Sequence, residues 1–130
     1  MKKVIGLGGV FIKSNDPEKL RNWYKKHLGI AIEEWGCMFP WQAATEETGD
    51  AYNVFSIMKN DTKHFEPSTQ PFMLNFVVAD ASFLSEELKK DGAIVSDKIE
   101  ESEYGKFTWV MDCDGNKIEL WEAPKKDIQK

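Results

Sequence analysis

Few side chains in this sequence have the chemistry to make a site, and the most telling is a lone glutamate. Glu119 lies in the alternating stretch Lys117-Ile118-Glu119-Leu120-Trp121-Glu122, close to Trp121 and within hairpin reach of Trp109. A carboxylate kept dry among tryptophans has its charged form disfavoured, which suits it to acid–base work near neutral pH. It can equally anchor a ligand amine or hydroxyl while the rings hold a cationic or planar group. The plainer alternative pairs it with Lys117, Lys106 or backbone amides. The two histidines, His27 and His64, fall on a helical stretch and in a loop, so neither is expected to reach the glutamate. Asp112, Asp114 and Asn116 alternate like the start of a calcium loop. The pattern then fails, because Lys117 stands where the sharp-turn glycine belongs and Ala123 where the closing glutamate does.

The elements that must position these residues repeat. Val10-Phe11-Ile12-Lys13-Ser14-Asn15-Asp16 leads into Pro17-Glu18-Lys19-Leu20, and Leu74-Asn75-Phe76-Val77-Val78-Ala79-Asp80 leads into Ala81-Ser82-Phe83-Leu84. Each reads as a strand, a capping aspartate and a helix. Pro17 suits the first turn of the first helix, Leu20, Tyr24 and Leu28 form its buried stripe flanked by Trp23 and His27, and Gly29 stops it. Residues 32–58 hold two or three strands, the firmest being Tyr52 to Met58. Residues 61–71, with Pro67 and Pro71, read as a linker. In the second half Asp80 or Ser82 caps a helix that buries Leu84 and Leu88 and ends at Gly92. Ile94 and Val95 begin a strand, and an acidic loop follows over residues 100–105. Phe107 to Met111 and Lys117 to Trp121 then form a hairpin about the Asp114-Gly115-Asn116 turn.

Two units of this size are marginal alone, so they are expected to share one core as a single domain spanning residues 1–130, with modules at about 4–60 and 72–124. A net charge of −5 disfavours nucleic acid and anionic membranes as partners. No apolar run is long enough to span a bilayer. Two cysteines, Cys37 and Cys113, make no disulfide framework, which points to a reducing cytoplasm with both thiols at the surface.

Strand alternation sorts the candidate site. If the helices cover Ile118 and Leu120, then Glu119 and Trp121 face the opposite, concave side. The same parity groups Phe107, Trp109 and Met111, places Gly9 and Phe11 together, and places Met73, Asn75 and Val77 together. A cup is expected to be lined by Phe11, Phe55, Asn75, Trp109, Glu119 and Trp121, with Trp35 and Trp41 at its rim.

The repeat, together with the closing segment Tyr104-Gly105-Lys106-Phe107 and Asp112-Cys113-Asp114-Gly115-Asn116-Lys117-Ile118-Glu119-Leu120, resembles the vicinal oxygen chelate superfamily. That group includes glyoxalases, bleomycin-resistance proteins and extradiol dioxygenases. The resemblance implies an α+β fold in which two βαβββ modules form a curved mixed sheet around a cup, often in a homodimer. It also implies divalent-metal ligands at four strand positions. Glu119 matches one, and the others fall on Gly9, Met73, and Phe55 or Ser56. A catalytic zinc normally takes three protein ligands, and these positions do not supply them.

No metal and no other cofactor is therefore expected. The leading expectation is a metal-independent small-molecule binding protein of the bleomycin-resistance type, sequestering or sensing a partly aromatic ligand through Phe11, Trp41, Phe55, Asn75, Trp109, Glu119 and Trp121. One alternative is a lyase or isomerase with Glu119 as its catalytic acid–base. Another is a dimerisation module whose cup is filled.

Overall fold

The protein is described here by a computed structural model covering residues 3–41 and 49–125, apart from the side chain of Leu28. The part of the expected strand region at 42–48, and Leu28 as a member of the helix stripe, lie outside the described residues. The elements run β1 (Val4–Ser14), α1 (Pro17–Leu28), β2 (Cys37–Pro40), β3 (Tyr52–Lys59), β4 (Phe72–Val78), α2 (Ala81–Lys90), β5 (Ile94–Val95), β6 (Glu100–Ser102), β7 (Gly105–Met111) and β8 (Lys117–Glu122).

Both helices start on the aspartates that the repeat marks. Asp16 accepts a hydrogen bond from the Lys19 amide at 3.1 Å, and Asp80 accepts one from the Phe83 amide at 2.9 Å. Each satisfies an amide that the helix itself cannot. Asp80, not Ser82, is thus the second cap. Gly29 closes α1 in the left-handed conformation, donating its amide to the Lys25 carbonyl.

One mixed eight-stranded sheet runs through both halves in the order β2-β3-β1-β4-β8-β7-β5, with β6 paired to β7. Antiparallel β1 and β4 form its centre. Parallel β3 flanks β1, and parallel β8 flanks β4, which gives the sheet its approximate two-fold pattern. The fold is therefore α+β with a mixed sheet, as the sequence implies. Within the pattern the halves differ. Between α1 and β2 the first half has only a Glu33–Gly36 bridge, whereas the second half has β5 and β6. The acidic stretch read as a loop is in part the β6 strand, all of it exposed, with Ser102 paired to Gly105. A strand with neither face buried carries no alternation to betray it.

The helices cover one face of the sheet. Leu120 packs with Val78, Ala81 and Leu84 under α2, and Ile57 with Ile32 and Cys37 beside Leu20 and Tyr24 of α1. Cys37 is buried, against expectation, because its strand turns it toward this layer, and burial pushes its thiol pKa up; Cys113 is exposed. Trp23 is half exposed, and its ring lies 4.9 Å from that of His27 with the planes tilted by 42°. On the other face, the segment joining β3 to β4 is anchored by Phe65, which has no exposed surface and lies beneath the Lys13 ammonium. Burying such a ring contributes roughly 1.5–3 kcal/mol.

At the centre, Gly9 has φ +153°, and a Cβ there would lie 2.1 Å from the Val54 carbonyl oxygen. Gly9→Ala is therefore expected to destabilise the fold by more than about 1 kcal/mol. A urea-unfolding midpoint equal to that of the native chain would show that β1 and β3 can part without cost. Brief thiol labelling of the folded protein should modify Cys113 and spare Cys37, as read by peptide mass; equal labelling would contradict the burial of Cys37.

Candidate functional site

The face away from the helices is concave and centred on Glu119, whose residue is 5% exposed. Its position follows from register. On one side β8 pairs Glu119 with Asn75 of β4, and on the other with Trp109 of β7. Each neighbour supplies a donor. Asn75 Nδ2 donates to Oε1 at 2.7 Å, and Trp109 Nε1 donates to Oε2 at 2.9 Å. The carboxylate retains lone pairs beyond these two bonds.

The Asn75 amide reaches Glu119 because its other end is accommodated by a glycine. A Cβ on Gly8 would lie 2.0 Å from Asn75 Oδ1, so only a glycine leaves that oxygen room. The oxygen is buried and has no hydrogen-bond partner. Reversing the amide would aim it at the carboxylate and remove the bond.

A third contact comes from the segment after β3. His64 Nε2 lies 3.7 Å from Glu119 Oε2, and its ring centre is 6.0 Å from that of Phe11. Its loop position predicts that His64 stays away from the glutamate, whereas the structure brings the ring beside it. The fully buried Phe65 ties the loop down, and Lys117 Nζ donates to the His64 carbonyl at 2.6 Å. Lys117 itself makes no ion pair with Glu119. Its ammonium lies 5.4 Å from the centre of the Trp109 ring. Burial pushes its pKa down, opposed by the carboxylates of Glu119, Glu100 and Glu66.

Beside Glu119 lies a cavity of about 520 Å³. Phe11, Asn75, Glu119, Trp121 and Trp35 line it, each of them a candidate from the sequence. Met38, Tyr52, Val54, Tyr104 and Phe107 line it too. Phe107 and Trp121 stack at 6.1 Å with planes 7° apart, and Tyr52 meets Trp121 edge-on at 5.0 Å. Burial holds the Tyr52 phenol above its ordinary pKa range, with Tyr104 adding to the effect, so it stays neutral.

Three expected lining residues are placed elsewhere. Phe55 points to the helices and packs edge-on against Tyr24 at 5.1 Å. The pairing of Val54 with Gly9 gives the cup face of β3 to Val54 and Ser56, and Phe55 takes the other side. Trp109 shares Glu119's face, yet its ring lines a separate cavity of about 260 Å³ with Glu66, Pro67, Ile94 and Lys117. Only its Nε1 reaches the site. Trp41 packs with Ile5 and Tyr52 on the apolar cluster around Val77 and Trp121, its ring over Gly6.

A divalent metal does not fit these donors. Gly9 and Val54 bring none, Met73 is a buried thioether, and the Ser56 hydroxyl donates to the Trp35 carbonyl. Asn75 presents its nitrogen, not its oxygen, to Glu119. Among the described residues no group of three or more His, Cys, Asp or Glu side chains could hold a metal ion. Among them, too, no helix is long and apolar enough to cross a membrane.

No protein-family model matches this chain, and neither does any curated protein. Solved structures do. The methylmalonyl-CoA epimerase from Mycobacterium tuberculosis is 17% identical, with TM-score 0.63 over 95% of this chain and 91% of that one. A variant of the Streptomyces coelicolor methylmalonyl-CoA epimerase in complex with 2-nitronate-propionyl-CoA is 15% identical, with TM-score 0.68 over 97% and 99%. A structure described as NAD-dependent benzaldehyde dehydrogenase from Legionella pneumophila is 15% identical, with TM-score 0.53 over 89% and 98%. At these identities the likeness shows a shared fold and leaves the activity open.

Asn75→Leu keeps much of the side-chain volume but strips Glu119 of one donor. A loss of about 1–3 kcal/mol is expected in urea unfolding. Most of it should vanish in a Glu119→Gln background, where no charge needs the donor. Equal losses in the two backgrounds would mean that the Asn75–Glu119 bond carries none of the effect.

Proposed function

We propose that this protein binds a small, partly aromatic molecule in the cup, without a metal, and that Glu119 is its polar anchor. The supporting observation is a buried carboxylate at an aromatic cavity, with two donors engaged and further lone pairs left for a ligand N–H or O–H. The volume lies in the range of small-molecule sites. Sequestering or sensing requires nothing further from the site. We further propose a homodimer, for which the β2 edge of the sheet and half-exposed Met38 and Phe39 offer a surface.

A second reading is an isomerase or lyase in which Glu119 moves a proton. His64 favours it, because a titratable ring 3.7 Å from the carboxylate and partly open to solvent can return protons to it. The structural neighbours include methylmalonyl-CoA epimerases, which act on an acyl thioester bearing a carboxylate. The cup here offers such a carboxylate no cation among the described lining residues, and this ranks the epimerase chemistry below ligand binding.

A thermal-shift screen of small amphiphilic compounds should find ligands that raise the melting temperature in proportion to occupancy. Val54→Phe, which fills the cup and leaves Glu119 alone, should weaken a hit at least tenfold while the unliganded protein stays folded. Hits unaffected by Val54→Phe would place binding elsewhere. Light scattering after size exclusion should give the mass of two chains; a mass of one chain would remove the dimer.

A further inference from the structure

Accepting the cup as a ligand site, we infer that its ligand is an organic cation, a substituted ammonium carried on an apolar or aromatic body. Glu119 is the one charged side chain among the described residues lining the cavity. A carboxylate this deeply buried normally has a cationic partner as well as hydrogen bonds, because neutral donors recover only part of its lost hydration. Here both direct hydrogen-bond donors, the Asn75 amide and the Trp109 indole, are neutral. His64, at 3.7 Å, carries charge only when protonated.

The one lysine whose charge is seen to act on Glu119 is already committed. Lys117 donates to the His64 carbonyl and lies over Trp109, in the smaller cavity and not in the cup. Among the described residues, no lysine or arginine forms an ion pair with Glu119. The fold therefore leaves a place for one positive charge beside Oε1 and Oε2, on the cavity side.

The walls suit that charge. Phe11, Trp35, Tyr52, Phe107 and Trp121 supply ring surface around the cavity. Ring faces attract a cation, and the attraction grows when water is excluded. Such rings discriminate little between neutral and cationic ligands by area alone, so the charge preference must come from Glu119 together with the π faces. A ligand carboxylate or phosphate would meet Glu119 with no cation on the cavity wall to offset it. The overall charge of −5 further favours the approach of cations.

The test uses three probes on the intact protein, followed by calorimetry or tryptophan fluorescence. Benzyltrimethylammonium is the cation, neopentylbenzene its neutral counterpart of the same shape, and phenylacetate the anion. The cation should bind at least tenfold more tightly than neopentylbenzene, and phenylacetate more weakly than either. Glu119→Gln should abolish the tenfold preference while leaving neopentylbenzene within about threefold of its native affinity. Equal binding of cation and neutral probe, or preference for the anion, would overturn the charge inference and leave the cup intact as a binding site. Failure of all three to bind would remove both readings. The native protein alone decides the charge preference, so the result stands even if Glu119→Gln fails to fold.

Discussion

A carboxylate taken out of water must keep its donors, and much of the concave face follows from that requirement. Glu119 draws one donor from each strand beside its own, so β4, β8 and β7 are held in a single register. A slip of one residue would bring Ile118 or Leu120 to this face and send the glutamate among the apolar side chains under α2. The apolar and polar demands therefore select the same alignment. The demand passes further to β1, where Gly8 leaves room for the Asn75 oxygen and Gly9 lets β3 come close. A polar contact at the centre thus dictates residue choice two strands away.

The two aromatic neighbours of the carboxylate divide the work. Trp109 gives its indole nitrogen to Glu119 and its ring to a different cavity, so it acts as a positioning residue. Trp121 does the reverse. Its nitrogen is engaged by the Tyr104 carbonyl at 2.7 Å, and its ring forms part of the cup wall. The polar end of each indole is satisfied, which leaves ring surface as the dominant offering of the wall. Two residues of one type on one face can thus play opposite parts, decided by which end the backbone directs inward.

How far the sequence disclosed this depends on how local each signal was. Capping aspartates, the Gly29 stop and the alternation around Glu119 act over a few residues, and the helices and β8 came out where those signals put them. Register between strands is a pairing of distant segments, and no local signal carries it. Sequence alone therefore sets Phe55 in the cup and gives no sign of Val54 or Tyr52, which the pairing with β1 brings there instead. Phe107 was within reach, since it shares the parity of Trp109 and pairs with Trp121. His64 was not legible. Its approach to Glu119 depends on the neighbouring Phe65 being buried, and a loop of polar residues and prolines gives no warning of such an anchor.

That anchored connection has a meaning of its own in a structure built by repetition. Two like halves about a two-fold would give a cup with two equivalent poles, indifferent to the direction from which a molecule entered. The segment between the halves has no counterpart, because a chain of two copies has only one join. By folding back over the sheet, the join places an imidazole and a buried ring at one pole and, among the described residues, nothing equivalent at the other. The cup thereby acquires a front and a back. The surroundings of Glu119 are therefore unlike on its two sides, and the difference comes from the one segment of the chain that is not repeated.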